Sequence, residues 1–348
     1  MSLDPVLLHS TGLLPAPLGD EEEAPQTEGV GPYRLALRRL RRNRTAVVAG
    51  FFFLLVVAFC LAAPLYARYV AHTGPNDNHI SETIRVRGHI RDVVSPIGIP
   101  IGPTWTSHFF FGADFNGRDV AVRLLYGGRN SLIVGFAATA VTMVAAVLIA
   151  LCAGYYRGWL DSVLSRLLDV IWAYPAVLLG VAIGTSLALG GISIGPLHLL
   201  GNSLYIPALI IGFVNIPYVA KPLRGQVIAL REKEFVDAAR ALDASGPRIM
   251  FSEILPNISS TIVVLLPLMI ANSILLEAAL SYLGAGVQPP NPSWGTMVSD
   301  GVQLITSSPY LVLVPGLTLV ITVLSINTFG EGVRDALDPR TTVKRAAR

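Results

Sequence analysis

The side chains in this sequence that could carry chemistry are few, and the lysines come first. A loop that hydrolyses ATP needs Gly-Lys-Ser/Thr, with the lysine reaching the outer phosphates. Lys221, Lys233 and Lys344 are the lysines, and none follows a glycine, so any ATP chemistry is assigned to another polypeptide. No His-Glu-x-x-His run and no nucleophile-and-base pair appears, which argues against a membrane-embedded hydrolase. Asp114-Phe-Asn-Gly-Arg-Asp119 carries the carboxylates of a calcium loop, but its glycine is fourth rather than sixth and no glutamate stands at position twelve. It reads as a turn leading into an amphipathic helix. His72, His79, His89, His108 and His198 are irregularly spaced, and Cys60 and Cys152 sit inside apolar runs, so no metal site and no disulfide framework is expected. Glu277 differs from these, because it interrupts an apolar run and is a functional candidate on that ground. Packing or gating is the favoured role, ahead of substrate contact. Arg166 and Asp169 are spaced for an ion pair on one helix face.

These groups are set among long apolar runs that read as membrane spans. The chain is 52% hydrophobic and 14% charged, with a mean hydropathy of +0.58, where soluble domains carry nearer a quarter charged residues. Six runs approach the ~20 residues a helical span needs: Thr45 to Leu65, Ser131 to Tyr155, Val163 to Leu189, Leu204 to Val219, Ile258 to Leu280 and Tyr310 to Phe329. The fourth is the shortest and contains Pro207 and Pro217. Six arginines from Arg34 to Arg44 precede the first run, Arg157 and Arg166 lie between the second and third, six basic residues occupy 221–256, and five follow the sixth run. The loops 190–203 and 281–309 hold no lysine or arginine. Both termini and 221–256 are therefore expected in the cytoplasm of a multi-pass inner-membrane protein. Residues 66–130 form a long extracytoplasmic loop whose seven arginines do not reverse that orientation. Residues 1–32 are rich in proline and acid and read as a disordered tail, followed by a basic flank at 33–44. Gly180/Gly184 and Ala150/Gly154 form small-residue faces, read as internal packing ahead of subunit contact. Gln288-Pro-Pro-Asn-Pro-Ser-Trp294 cannot form a regular helix and must line water or protein.

The stretch 221–256 is polar and hangs between two spans. Phe235, Ala238, Ala239 and Leu242 recur at helical spacing, and a second helix starts at Ser245-Gly246-Pro247 and stops at Pro256. Two short helices at a sharp angle would make a protruding knob. Glu234-Phe-Val-Asp-Ala-Ala-Arg-Ala-Leu242, followed by Ile254-Leu-Pro-Asn257, resembles the EAA loop of ABC importer permeases, which docks into a cleft on a cytoplasmic ATPase. Gly112-Ala-Asp-Phe-Asn-Gly-Arg-Asp-Val120, Arg123-Leu-Leu-Tyr-Gly-Gly-Arg129, Arg166-Leu-Leu-Asp169 with Pro175, Glu277-Ala-Ala-Leu-Ser-Tyr-Leu-Gly284, Val287-Gln-Pro-Pro-Asn-Pro-Ser-Trp-Gly295 and Asp335-Ala-Leu-Asp-Pro-Arg340 narrow the match. Over about 34–340 the sequence resembles the dipeptide/oligopeptide/nickel ABC importer permease family, C-type subunit. It departs from that pattern at Asp237, where the EAA triplet has glutamate, and at Asp243, in a region where glycine is usual. Asp tolerates left-handed backbone, so the turn is expected to survive.

The resemblance implies an all-α integral membrane protein with six transmembrane helices and the type I ABC importer permease fold. The core is 131–330, with a coupling loop at 221–256 and a cytoplasmic tail at 331–348. The implied partners are a homologous permease, two ATPase subunits holding ATP and Mg, and an extracytoplasmic binding protein, with no cofactor and no enzymatic site on this chain. Coupling residues are Glu234, Phe235, Asp237, Ala238, Ala239, Arg240, Asp243, Ala244, Ser245 and Gly246, with Ala238 and Ala239 sharing the close-packed docking face. Asn272, Glu277 and Trp294 are candidates for the translocation path. The substrate implied is a di- or oligopeptide, with nickel or another small solute as the alternative. An ion-coupled secondary transporter is the competing class, although its spans would need ionisable residues near the bilayer midplane and these offer little beyond Glu277.

Overall fold

The computed structural model describes residues 32–86, 88–194 and 197–337; the tail at 1–31 and the segment beyond Leu337 lie outside it. Helix α1 (Pro32–Arg42) is set off from α2 (Arg44–Leu61) by Asn43, whose extended backbone breaks the helix while its side chain caps α2 through the Ala46 N–H. A short α3 (Ala63–Tyr66) passes into a π turn that ends at His72, with φ 51°. A small module follows, in which β1 (Thr83–Val86) and β2 (His89–Asp92) pair antiparallel above a core of Val93, Val94, Phe109 and Ala113.

Helix α4 (Val120–Tyr156) begins eleven residues before the expected Ser131. The reason is Asp119, whose carboxylate accepts the Ala121 and Val122 N–H groups at 2.8 and 3.1 Å and caps the helix there. At ~1.5 Å per residue α4 is longer than a ~30 Å hydrocarbon core, so it carries its end into the polar module.

The third expected span is not continuous. α5 (Gly158–Ala173) and α6 (Ala176–Gly190) meet at 90°. Pro175 lacks an N–H and forces Tyr174 into extended backbone (φ −93°, ψ 139°), a conflict with helix that hydropathy does not register. A hairpin of β3 (Ile192–Ile194) and β4 (Leu197–Leu199) leads to α7 (Tyr205–Arg231), which runs through Pro217 and Pro222 and extends past the expected Val219. Residues Lys221–Arg231 thus continue a span. After α8 (Glu234–Ala241), the chain turns into α9 (Gly246–Arg248), a π turn at Ile249–Ile254, and α10 (Leu255–Tyr282) as one 37-residue rod. Pro256 was expected to stop this helix and does not. The Leu255 N–H reaches back five residues to the Met250 carbonyl, and the extra residue in that wider turn accommodates the proline ring. α11 (Trp294–Val302) and α12 (Tyr310–Leu337) are the last of the described helices.

Among the described residues five helices are long and apolar enough to cross a membrane, and the bent α5–α6 pair makes six. α4 packs along α7 and α10, and α2 lies on α12. Gly154 abuts Val227, and Gly180 and Gly184 abut Leu280 and Ala285, so these small faces serve packing within the chain.

Candidate functional site

Helix α8 is held from one side. Val236 is fully buried, and with Ala239 and Ala244 it packs on Leu151, Val227, Ile249, Met250, Ile254 and Ile258, residues contributed by α4, α7, the π turn and α10. The expected face containing both alanines is therefore divided. Ala239 turns inward, whereas Phe235, Ala238 and Leu242, at i, i+3 and i+7, face outward, Leu242 with 84% of its surface exposed. Glu234 and Asp237 lie in the first turn at the dipole's positive end. Asp237 accepts from Arg240 at 2.8 Å, and the Arg240 guanidinium lies over the Tyr155 ring. Ser245 is exposed, and Gly246 sits against Tyr155 and Tyr156.

The turn leaving α8 is a Schellman motif with aspartate in the left-handed position. Asp243 has φ +55°, its N–H bonds the Arg240 carbonyl at 3.0 Å, and the Ala244 N–H bonds the Ala239 carbonyl at 3.1 Å. The turn forms without glycine, as expected, because aspartate tolerates this conformation. Asp243→Val is expected to destabilise the turn by about 1–2 kcal/mol, while Asp243→Gly leaves it as stable or more so. Protease cleavage rates between α8 and α10 measure this; a valine variant cleaved no faster than the parent refutes it.

Three ion pairs tie the α8 end of α7 to α5. Arg157 meets Glu232 at 2.9 Å, Asp161 takes both Nε and Nη2 of Arg224 at 2.5 and 2.6 Å, and Asp169 meets Lys221 at 2.7 Å. Asp169 thus pairs across helices and not with Arg166. The neighbouring helix presents a lysine already stacked 4.2 Å over Trp172, and spacing along one helix does not reveal such a competitor.

A different surface runs along α10. Ala176, Val177, Asn215, Tyr218, Leu268, Asn272 and Leu276 are among the residues lining an open groove of ≈ 480 Å³. A second, of ≈ 870 Å³, lies between α10 and α12 and shares Leu268, with Ser260, Thr261, Asn327, Glu331 and Arg334 supplying polar groups. Asn272 donates to Asn215 at 3.1 Å; Asn215 donates to Ser273 at 3.4 Å, and Thr139 lies 3.2 Å from the same hydroxyl. Asn215 was not singled out in the sequence, although an asparagine inside an apolar run is a signal of the same kind as Glu277.

Glu277 and Trp294 lie inside the protein and not on these grooves. Glu277 is fully buried, accepts a 2.6 Å bond from Ser281, and is faced by the hydroxyls of Ser131 and Ser293. Ser281 in turn accepts the Val287 N–H at 2.9 Å. Trp294 donates its indole N–H to the Leu124 carbonyl at 3.1 Å, and its backbone N–H reaches Ser131. A Cβ at Gly128 would collide with the indole and with the Cys60 sulfur. The Pro-rich stretch before Trp294 is pinned by Asn130 on the Pro292 carbonyl at 2.7 Å and ends in a Ser293–Thr296 capping box. It therefore lines protein.

Asp114, Arg118, Arg123 and Asp300 join the 66–119 module to α4 and α11. Arg118 contacts Asp114 at 2.6 Å and Asp300 at 3.6 Å, and Arg123 contacts Asp114 at 3.5 Å. Two of the loop's seven arginines are thus paired, which reduces their weight in an orientation argument. Burial pushes the Asp300 carboxyl above the usual range against the pull of Arg123 and Arg118. Burial likewise raises Asp119, opposed by its backbone N–H donors at Val122, Phe109 and Ala121. Among the described residues no His/Cys/Asp/Glu group has the arrangement to hold a metal.

Residues 133–343 match the family described as binding-protein-dependent transport system inner membrane component, and residues 31–81 match the N-terminal TM domain of oligopeptide transport permease C. The chain is 36% identical to the dipeptide transport system permease protein DppC of Alkalihalophilus pseudofirmus, covering 90% of this chain and 92% of that one. It is 32% identical to the glutathione transport system permease protein GsiD of Pectobacterium atrosepticum, over 89% and 91%. Among solved structures, an inward-facing MetNI methionine ABC transporter chain is similar at a TM-score of 0.49 and 17% identity, covering 62% of this chain and 96% of that chain.

Proposed function

Because this chain belongs to the family of binding-protein-dependent transport system inner membrane components, we propose that it is the permease subunit of an ABC importer that moves di- or oligopeptides. The dipeptide and glutathione systems named for its relatives support a peptide cargo over nickel. One observation carries the mechanism: α8 exposes Phe235, Ala238 and Leu242 while Val236 anchors it to α4, α7 and α10. A small apolar face on a rigidly backed helix suits insertion into a cleft on an ATPase subunit. ATP and Mg would bind there, since this sequence has no Gly-Lys pair. Closure of two ATPases would then move α8, and the Asp161–Arg224 and Asp169–Lys221 pairs would carry that motion to the α5–α6 bend. The open face of α10, with Asn272 beside Asn215, would contribute to the path, completed by a homologous permease and fed by an extracytoplasmic binding protein.

The test is uptake of labelled dipeptide into vesicles holding this chain with its partner subunits. Transport should require both ATP and the binding protein; uptake driven by an ion gradient without the ATPases overturns the reading. Orientation is tested with single cysteines in a background where Cys60 and Cys152 are alanine. Cysteine at Pro289 should react from outside in intact cells, and cysteine at Leu242 should react only after permeabilisation. The reverse pattern inverts the topology.

A further inference from the structure

We propose that α1 is a binding site for anionic phospholipid headgroups. At 100° per residue, Arg34, Arg38, Arg41 and Arg42 fall on one arc of about 100°, and all four are exposed. Ala36 and Leu40 occupy the opposite side, where Leu40 meets α12 near Gly332. The arginine arc therefore faces away from the protein, with exposed Leu35 and Leu37 on its two edges.

Among the described residues none of these four guanidinium groups forms an ion pair, and α1 itself contains no acid. Asp335 and Glu331 on the adjoining α12 pair with none of them. Asn43 separates α1 from the span α2, so the arc sits at the level where a bilayer presents its phosphates. A guanidinium fork binds phosphate oxygens in bidentate fashion, and flanking leucines can enter the acyl boundary while the arginine stems snorkel. Topology alone requires positive charge near the span; it does not require four unpaired arginines on one arc bordered by leucines.

The experiment uses the full chain in phosphatidylcholine vesicles doped with spin-labelled phosphatidylglycerol, reading the lipid held at the protein boundary. The parent chain should prefer phosphatidylglycerol, and the preference should fall as salt is raised. Replacing Arg34, Arg38, Arg41 and Arg42 together with glutamine should cut it by at least about fivefold, while the matching lysine variant retains insertion and most of the preference. Where the fourfold glutamine variant inserts poorly, the double variants Arg34→Gln/Arg38→Gln and Arg41→Gln/Arg42→Gln decide the matter, each expected to lose part of the preference. Absence of preference, a preference insensitive to salt, or full retention in the glutamine variant overturns the proposal. Displacement by dissolved inorganic phosphate would instead indicate a free-anion site and also overturns it. So does a preference that appears only once Asp20, Glu21, Glu22 and Glu23 are neutralised, since that acidic run would then be the occupant.

Discussion

Under the proposed docking role of α8, Leu242→Glu and Ala238→Trp are each expected to abolish coupled peptide uptake while the chain still inserts and pairs with a homologous permease. Both positions are exposed on the outward face of α8, so substitution there changes chain stability by no more than about 0.5 kcal/mol. In a docked complex the same changes act on a packed interface. Losing a buried leucine costs about 1.5–3 kcal/mol, and overfilling a close-packed alanine site costs about 1–3 kcal/mol. Either is a loss of about five-fold or more in docking, so transport and substrate-stimulated ATP hydrolysis should fall together while cargo binding by the binding protein is unchanged. Ala239→Trp serves as the contrasting variant. Ala239 packs inward with Val236 and Ala244, so a tryptophan there should disturb the chain itself and raise protease sensitivity near α8. Full uptake by Leu242→Glu in reconstituted vesicles would remove α8 from the coupling role.

Trp294→Ala is expected to destabilise the protein by about 3–5 kcal/mol, the range for deleting a fully buried aromatic side chain. The indole fills the space left by Gly128, and its N–H adds a second bond to the helical Leu124 carbonyl, so truncation leaves a cavity and loses that bond. Trp294→Phe keeps most of the volume and should cost less. The loss should appear as faster proteolysis of the 284–293 stretch, because its exit is fixed through Trp294, Ser293 and Ser131. Glu277→Ala should loosen the same stretch from the other side by removing the acceptor for Ser281, whose hydroxyl positions Val287. An alanine at 294 with unaltered protease resistance and thermal stability would contradict this account.

Hydropathy alone located the membrane-spanning stretches because a span must satisfy its backbone internally and present apolar side chains along ~20 residues, a constraint written in one dimension. Helix ends were less legible. α4 starts at Val120 through a cap supplied by Asp119, and α10 passes Pro256 through a π turn. The 90° break at Pro175 leaves no trace in hydropathy, because both arms are apolar and only the proline's missing N–H and its restriction of Tyr174 mark it. The turn at Asp243 could be foreseen because a left-handed residue is a local matter of one side chain against its own backbone.

Pairing could not be foreseen in the same way. Asp169 had Arg166 on its own helix, yet Lys221 reaches it from α7, and the two alanines of α8 look equivalent until the helix is laid on Val227, Met250 and Ile254. A multi-span membrane chain with a polar segment of small residues between two spans is legible in composition and periodicity, since both are carried by neighbouring residues. Which side of α8 faces outward, which groove Asn272 lines, and that Glu277 and Trp294 are enclosed follow from how the helices pack. These depend on contacts between residues far apart in the chain, and their free energies exist only once the helices have packed.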